Sequence, residues 1–494
     1  MNFSLGPASK TWKLVFWVQR MTCAKSGSSC VTAMLMASVN LNEMIRLLAA
    51  AILFHELLST CKWGTDYLSK CVAPVLGLEL HRLTHSLIHS VLMIVAGWMC
   101  LFPDARLFLP MFILLSATIA SYSIRLSNHL IVVWFFILAV TIDLFCHATL
   151  TATSVLSVRA LVLLTYIFAA FHKLNPDYFT PTSSCAVRLV RFYFQDKLTN
   201  SRANRVIIIC AIWVPVICEA AIPMLLLFKE TRAMGVLAAI CLQSLFGFAR
   251  NAPFSVVMYA GLTLFLPPAN LAITTVLVVC GLGAWIGFRY SMWKVYPKQK
   301  LALVLHTVFG AITAYMFIWV ITTYHNRLDN IQHHGNLQWL VIAVLLLLFA
   351  VNALSPFYTS KTEFCLAMFS NLRPDRRVHF VVKQSPRQFG DNEYVEILSM
   401  QGIPELSSYS QSSFNYRLVR SFKPYEGRKY LKYYLVESIN YLRNQLAADF
   451  IIELIDDEQQ LTVSSGTDLS TLKYRKTCLM PAVIPNNPNT PYCN

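Results

Sequence analysis

Eleven long apolar runs dominate this chain of 494 residues and constrain its fold more than any other feature. Most of them approach the roughly 20 residues that a helix needs to cross a bilayer. Backbone groups inside a bilayer must be hydrogen-bonded within the protein, so these runs predict helices. They lack the alternation in polarity that marks the strands of a membrane β-barrel. The runs lie near residues 45–60, 84–102, 107–124, 129–147, 157–172, 205–228, 233–249, 253–268, 270–288, 301–323 and 337–354.

These runs predict an all-α polytopic transmembrane bundle of about 10–11 helices, followed by a small soluble α+β tail. Two points leave the count open: the first run is short, and the runs around Pro267 and Pro268 could form one interrupted unit. Charged residues make up 13% of the chain, about half of the share in a soluble domain. The sequence therefore predicts an integral, multi-pass membrane protein, and it does not indicate which membrane.

The net charge of +16 is concentrated in the predicted membrane part of the chain. Residues 1–360 hold 25 Lys and Arg against 11 Asp and Glu, whereas the remainder is nearly balanced. Basic loops of a membrane protein meet anionic headgroups. The expected partners are the lipid bilayer and a lipophilic small molecule, with no nucleic acid, because the chain carries no nucleic-acid motif.

Four segments are predicted along the chain. They are a basic N-terminal tail at 1–44, a transmembrane domain at 45–355, a soluble α+β region at 361–480 and a disordered tail at 481–494. Within the loop 174–204, residues 185–195 have the amphipathic pattern of a helix that lies at the membrane interface.

Local patterns predict the elements of the soluble region. Strands are expected at Val378–Val382 and Tyr394–Leu398, an amphipathic helix at Arg428–Leu446, and a hairpin from Phe450–Ile455 and Leu461–Val463.

Ionisable residues inside the apolar runs are candidates for function, because such groups are costly at membrane depth. His129, Asp143 and His147 share one predicted helix and fall within about 40° of one face. This pattern indicates a polar interior, although the two histidines could instead sit at the two interfaces. Glu219 lies four residues before Pro223. It needs a partner such as Lys173 or a histidine, or it is a protonated structural glutamate.

His81, His85 and His89 recur every four residues, which places them on one helical face. No carboxylate or cysteine lies at a matching offset, so basic flanking of a helix start is favoured over a metal site. The adjacent His55 and Glu56 form a further buried pair without an assigned role. No C-x-x-C or zinc-like spacing occurs among the 14 cysteines, and no metal is predicted.

Lys173 ends a long apolar helix, in the run Phe171 to Tyr178. One interpretation is a lysine that extends to the headgroups. The other is a general base, which requires a neutral amine, and an apolar environment favours that form. Asn175 precedes a proline and so ends the helix, which fixes Lys173 in the last turn. A close Asp177 carboxylate would favour the charged amine unless Asp177 caps backbone groups instead.

The run from Ala169 to Tyr178, Ala-Ala-Phe-His-Lys-Leu-Asn-Pro-Asp-Tyr, resembles the lysine motif of the vitamin K-dependent γ-carboxylases. It resembles more closely the shorter relatives of that family, the horizontally transferred transmembrane (HTTM) domain proteins. Further similar patches open at Ser127, Glu219 and Lys361, and Met368–Arg373 resembles a tract of the HTTM relatives. The similarity covers roughly residues 45–380.

The resemblance implies that Lys173 is the base that deprotonates a vitamin K-like hydroquinone, with His147 as its helper. The expected cofactor is therefore a reduced quinone. Three departures favour quinol chemistry over peptide carboxylation. The spacing from Asp143 to His147 is one residue longer than the family pattern leads us to expect. The chain has no counterpart of the large lumenal domain of the carboxylases, and Gln243 stands where an intramembrane histidine is expected. The residues expected to bind substrate are His129, Asp143, His172, Asp177 and Glu219.

The favoured function is thus that of an HTTM-like membrane protein in which Lys173 acts as a general base on a lipophilic, quinol-like substrate, with oxygenase- or carboxylase-type chemistry. The alternative is a non-catalytic transporter or lipid-binding protein, in which the polar residues form a permeation or headgroup site. A third hypothesis is that the soluble tail is an interaction module, which the helical bundle anchors to the membrane.

Overall fold

A computed structural model gives the three-dimensional structure of the chain. It describes residues 28–63, 80–121, 128–147, 151–194, 202–267, 272–294, 300–324, 336–358, 379–382, 394–401, 428–446, 451–456, 459–464, 467, 472 and 483–485.

Each of the eleven apolar runs coincides with a helix, and two short helices join them in the loop after the fifth. In chain order they are α1 Ser28–Trp63, α2 Arg82–Leu101, α3 Phe108–Ser121, α4 Asn128–His147, α5 Ala152–His172, α6 Pro176–Phe179, α7 Cys185–Phe194, α8 Arg202–Leu227, α9 Arg232–Phe246, α10 Ala252–Thr263, α11 Ile273–Lys294, α12 Lys300–Thr323 and α13 Asn336–Tyr358. A 3₁₀ turn at Ala105–Leu107 precedes α3, and a π-helical turn at Gly247–Asn251 joins α9 to α10.

Eight helices in the described part of the chain are long and apolar enough to cross a membrane. The helix over Ala105–Ser121 and the helix Ala252–Thr263 are apolar but shorter. The predicted class, a transmembrane helical bundle in an integral multi-pass protein, is confirmed. The first helix is longer than predicted, since α1 begins at Ser28 and includes the last part of the segment expected to be a tail. The remainder of that tail, residues 1–27, lies outside the described residues.

The helices pack around one apolar core. Phe136, Val162 and Tyr259 come from three different helices, and all are fully buried in this core. The lipid-facing side is apolar as well, with Ile94 on α2 and Val278 on α11 each more than two thirds exposed. Helices that are apolar all round are typical of membrane spans, where the outer face meets lipid rather than water.

The soluble region forms one antiparallel sheet. Its strands are β1 Tyr394–Gln401, β2 Arg428–Leu431, β3 Ile451–Asp456, β4 Gln459–Ser464 and β5 Val483–Pro485, in the order β4-β3-β1-β2-β5. Helix α14, Lys432–Leu446, follows β2 directly. The predicted strand at 394 and the hairpin of β3 and β4 are confirmed.

Three local predictions for this region were wrong. The segment 428–431 pairs with β1 and β5 as a strand, so the predicted helix begins only at Lys432. Residues 379–382 form a bend rather than a strand. Val483–Pro485 is the edge strand β5 and not part of a disordered tail, whose other residues lie outside the described part. In each case sheet pairing or docking, which the local pattern does not encode, decides the conformation.

Helices α11 and α12 approach each other through glycines. A Cβ built on Gly283 would lie 2.3 Å from the carbonyl oxygen of Gly310, and one built on Gly287 would lie 2.3 Å from that of His306. Gly283 and Gly287 are four residues apart, as in the small-xxx-small pattern that lets membrane helices pack backbone to backbone.

We therefore expect Gly283→Ala to destabilise the bundle, because the new methyl group must push the helices apart. Overpacking of this kind costs about 1–3 kcal/mol. The thermal midpoint of the detergent-solubilised protein should fall. Gly281→Ala is the matched control, since a Cβ there meets nothing within 4 Å. Equal midpoints for the two variants would contradict this packing.

Candidate functional site

The end of α5 is shaped by two residues that the sequence analysis identified. Asn175 donates a hydrogen bond from its side-chain amide to the carbonyl of His172 at 2.8 Å. Its side-chain oxygen accepts one from the backbone N–H of Tyr178 at 2.9 Å, which caps α6. Pro176 is the first residue of α6, a position that needs no N–H. Asn175 thus closes one helix and opens the next, and Lys173 is held between them.

Lys173 forms a buried ion pair with Glu219 of α8. Its Nζ lies 2.7 and 2.9 Å from the two carboxylate oxygens and 3.2 Å from the carbonyl of Ala169. Lys173 is 2% exposed and Glu219 is 3% exposed. An ammonium group has three donors, and these three acceptors match them. Lys173 therefore does not extend to the headgroups.

Tyr178 lies against this pair. Its ring centroid is 6.0 Å from Lys173 Nζ, and its side chain is fully buried among Val187, Ile212 and Val216. Among the described residues its hydroxyl has no hydrogen-bond partner. Burial, and then the charge of Glu219, raise the pKa of Tyr178 well above its usual range. The hydroxyl therefore stays protonated, and it is a neutral group available to bind a ligand.

A second group of buried polar side chains, linked by hydrogen bonds, lies behind the ion pair. The Gln243 side chain donates to the hydroxyl of Tyr166 at 3.3 Å, and Ser255 donates to the Gln243 backbone carbonyl at 2.6 Å. Tyr166, on α5, is close enough to Glu219 to interact with it electrostatically. Gln243 thus occupies a buried polar position behind the ion pair, where the resemblance led us to expect a histidine.

His172 and Asp177 flank Lys173 in different ways. The ring of His172 is fully buried and stacks on Phe357 of α13, with centroids 5.4 Å apart and planes within 7°. Asp177 lies in the first turn of α6, and its backbone carbonyl accepts a hydrogen bond from Ser183. Asn175, and not Asp177, is the residue that caps the N-terminus of α6.

A short segment beyond the bundle docks on the end of α5. His379 Nε2 donates to the carbonyl of Phe171 at 2.8 Å, and the N–H of Phe380 donates to that of Leu174 at 3.0 Å. His379 Nδ1 accepts from the N–H groups of Val381 and Val382, at 3.2 Å each. Both bonded carbonyls flank Lys173. His379 was not among the residues predicted from the sequence, because only the tertiary structure brings it to α5.

Asp143 and His147 lie at the other end of α5. The Asp143 carboxylate accepts hydrogen bonds from the backbone N–H and the hydroxyl of Thr151, at 2.7 Å each, and from the hydroxyl of Ser154. Nineteen residues of helix separate Ser154 from Lys173, or about 28 Å. His147 ends α4 one turn beyond Asp143, and its side chain lies outside the described residues.

The predicted grouping of Asp143 and His147 with Lys173 is therefore corrected. The prediction placed the residues on one face of α4, but a helical face does not specify depth, and α5 runs antiparallel to α4. Asp143 acts as a cap for the first turn of α5, satisfying backbone and hydroxyl donors there.

The first helices bring together five further ionisable side chains. His129 Nε2 lies 2.7 Å from His55 Nδ1, and Glu56 Oε2 lies 2.7 Å from His89 Nδ1. The ring of His85 is 4.5 Å from that of His89, measured between centroids. All five are at most 5% exposed. The four-residue spacing of the histidines was visible in the sequence, whereas the pairing with α1 required the fold.

No three His, Cys, Asp or Glu side chains in the described part of the chain are arranged to hold a metal ion. Cys185, at the start of α7, is disulfide-bonded. It belongs to the same loop as Tyr178.

No protein-family model, no curated protein and no solved structure matches this chain. The resemblance to the HTTM proteins and carboxylases therefore stays a prediction.

Docking of the His379 segment should weaken at low pH. Burial lowers the pKa of His379 below its ordinary value, and the bond to the Phe171 carbonyl only partly offsets this. The neutral ring is thus favoured in the docked state, and its contribution is present above about pH 6.5 and lost as the pH falls through the lowered pKa. A protonated Nδ1 cannot accept the bonds from Val381 and Val382.

Amide hydrogen exchange of residues 380–382, corrected for intrinsic rates, measures this effect. Protection should fall on acidification in the natural chain, and in His379→Phe it should be low at every pH. Protection that persists unchanged to about pH 4 would contradict the account, because imidazole must be charged in that range unless it is deeply shielded.

Proposed function

We propose that this membrane protein binds the headgroup of a lipophilic, quinol-like molecule beside the Lys173–Glu219 pair and accepts a proton from it. The observation that supports this is the burial of a complete ion pair at the end of a membrane helix. Removing each charge from water costs several kcal/mol, and apolar residues of similar volume would hold two helices together as well or better. A buried pair is therefore expected where its charge is used.

The residues present fit such a headgroup. Tyr178 offers a buried hydroxyl that has no hydrogen-bond partner within the described segments, and the third donor of Lys173 is held only by a backbone carbonyl at 3.2 Å. An apolar tail would have a surface to follow, because Trp213 and Ile217 on the outer face of α8 are more than half exposed. Phe179 packs against Trp213, with ring centroids 4.8 Å apart, so this surface extends to the loop next to Tyr178.

The pair can accept one proton from the substrate whether the proton between Lys173 and Glu219 starts on the amine or on the carboxylate. If Lys173 is charged and Glu219 ionised, the carboxylate takes the proton of the substrate hydroxyl. If both are neutral, the Lys173 amine takes it. In either case the pair changes from zero to one positive charge, and that charge lies beside the oxygen that has lost its proton. Low dielectric strengthens this stabilisation.

The resemblance to the carboxylases extends this proposal to oxygenase- or carboxylase-type chemistry on a reduced quinone, whose oxygenation would supply a stronger base. The chain's own residues would bind the headgroup, orient it and hold the proton at Nζ or at the Glu219 carboxylate. His147 has no part in this scheme, since the backbone places it at the far end of α5.

We expect Lys173→Met and Glu219→Gln each to abolish quinol-dependent oxygen uptake. A positioned proton-transfer group contributes about 10²–10⁴ to a rate. The measurement is oxygen consumption by the purified protein in lipid vesicles supplied with a reduced short-chain quinone. Lys432→Met is the matched control, because Lys432 forms a buried ion pair with Asp456 at 2.5 Å in the soluble sheet region.

Full oxygen uptake by Lys173→Met would refute the role of the base. Uptake that is absent from the natural chain, together with retained binding of the quinol, would favour the alternative of a lipid-binding or transport protein. Folding of each variant is checked by its thermal midpoint.

A further inference from the structure

The histidines of α2 form a series that leads from the surface into the bundle. His81 is exposed and caps the helix, accepting a hydrogen bond from the backbone N–H of Leu83. His85 and His89 follow at intervals of one turn and are at most 1% exposed. Side chains four residues apart on a helix are neighbours, and the rings of the two buried histidines are in contact.

The series ends at a carboxylate. His89 Nδ1 is hydrogen-bonded to Glu56 at 2.7 Å, and Glu56 also interacts electrostatically with His55 and His85. His55 continues the path to His129 of α4 through a nitrogen–nitrogen hydrogen bond of 2.7 Å. Helices α1, α2 and α4 thus contribute six titratable side chains to this series.

We propose that His81, His85 and His89 form a proton ladder that connects the membrane surface with Glu56 and the His55–His129 pair. Imidazole suits this use, because it takes a proton on one ring nitrogen and releases one from the other near neutral pH. The step at the inner end is a transfer between His89 Nδ1 and Glu56 Oε2. One N–H bond breaks there and one O–H bond forms, with no oxidant or reductant.

Charge balance indicates that the inner cluster stores one proton. A hydrogen bond between two imidazole nitrogens holds a single proton, so His55 and His129 cannot both be charged while it is intact. An ionised Glu56 in an apolar interior is costly unless one cation lies beside it. The cluster is therefore neutral with one proton, carried either by Glu56 or by a histidine, and the ladder delivers that proton.

The surrounding helices add few competing charges. Helices α3 and α10, which pack near these residues, carry no Asp, Glu, His, Lys or Arg, and α10 contributes the buried Tyr259. Helix α12 contributes His306, whose Nδ1 lies 2.9 Å from the Ala302 carbonyl. Near the middle of α1, Glu43 is bonded to Arg46. The ladder and cluster thus comprise six titratable side chains among the described residues.

Infrared spectroscopy of the full chain in lipid vesicles tests the ladder without any enzyme assay. After a rapid pH jump between about pH 5 and pH 9, where imidazole titrates, we expect the carboxyl band of Glu56 to change. Glu56→Gln identifies that band by removing it. In His85→Phe the change should slow about a hundredfold, the factor that a positioned proton-transfer group supplies.

His85→Gln is the second ladder variant, because it keeps a polar side chain and guards against misfolding. It should slow the change of the Glu56 band as His85→Phe does. His306→Phe removes a buried histidine outside the ladder and should leave the rate unchanged. A Glu56 band that never changes, or one that responds at the natural rate in both His85 variants, would overturn the proposal. Failure here leaves the Lys173 proposal intact, since the readout is Glu56 and not oxygen uptake.

Discussion

The ion pair of Lys173 and Glu219 is the interaction on which the arrangement of this end of the bundle depends. It joins Lys173, the residue that caps the C-terminus of α5, to the middle of α8, and both partners are almost completely buried. Once Lys173 is paired inward, the chain must turn immediately after it. Asn175 and Pro176 make that turn, and Tyr178 fills the space beside the ammonium group.

Other polar groups collect around the same helix end because neighbouring helices alternate in direction. Helix α13 ends where α5 ends, so Phe357 stacks on His172. The segment at His379 then donates hydrogen bonds to the carbonyls of Phe171 and Leu174 at the end of α5. At the opposite end of α5, the Asp143 carboxylate accepts a hydrogen bond from the backbone N–H of Thr151. Asn175, His379 and Asp143 thus each bond to backbone groups at a helix end, whereas Lys173 and Glu219 pair with each other.

Much of the fold followed from hydropathy alone, since a stretch of apolar residues in a bilayer has only the helix available. All eleven predicted runs are helices for that reason. The pairing of Lys173 with Glu219 was also foreseen as one option, because an intramembrane glutamate requires a partner. The prediction that grouped His129 with Asp143 neglected depth: the two share a helix face, but 14 residues put them about 21 Å apart along the axis. The partners of His89 and His379 lie in distant segments, and single-sequence patterns do not encode such contacts.

A cryo-electron microscopy map of the full chain in lipid nanodiscs with a reduced quinone most directly tests whether the ion pair is a binding site. The account predicts density for an aromatic headgroup within hydrogen-bonding distance of Lys173 Nζ, Glu219 or the Tyr178 hydroxyl, and loss of that density in Lys173→Met. Headgroup density only at another place, or the same density in Lys173→Met, would contradict it. The Lys173–Glu219 pair would then be only a structural link between α5 and α8.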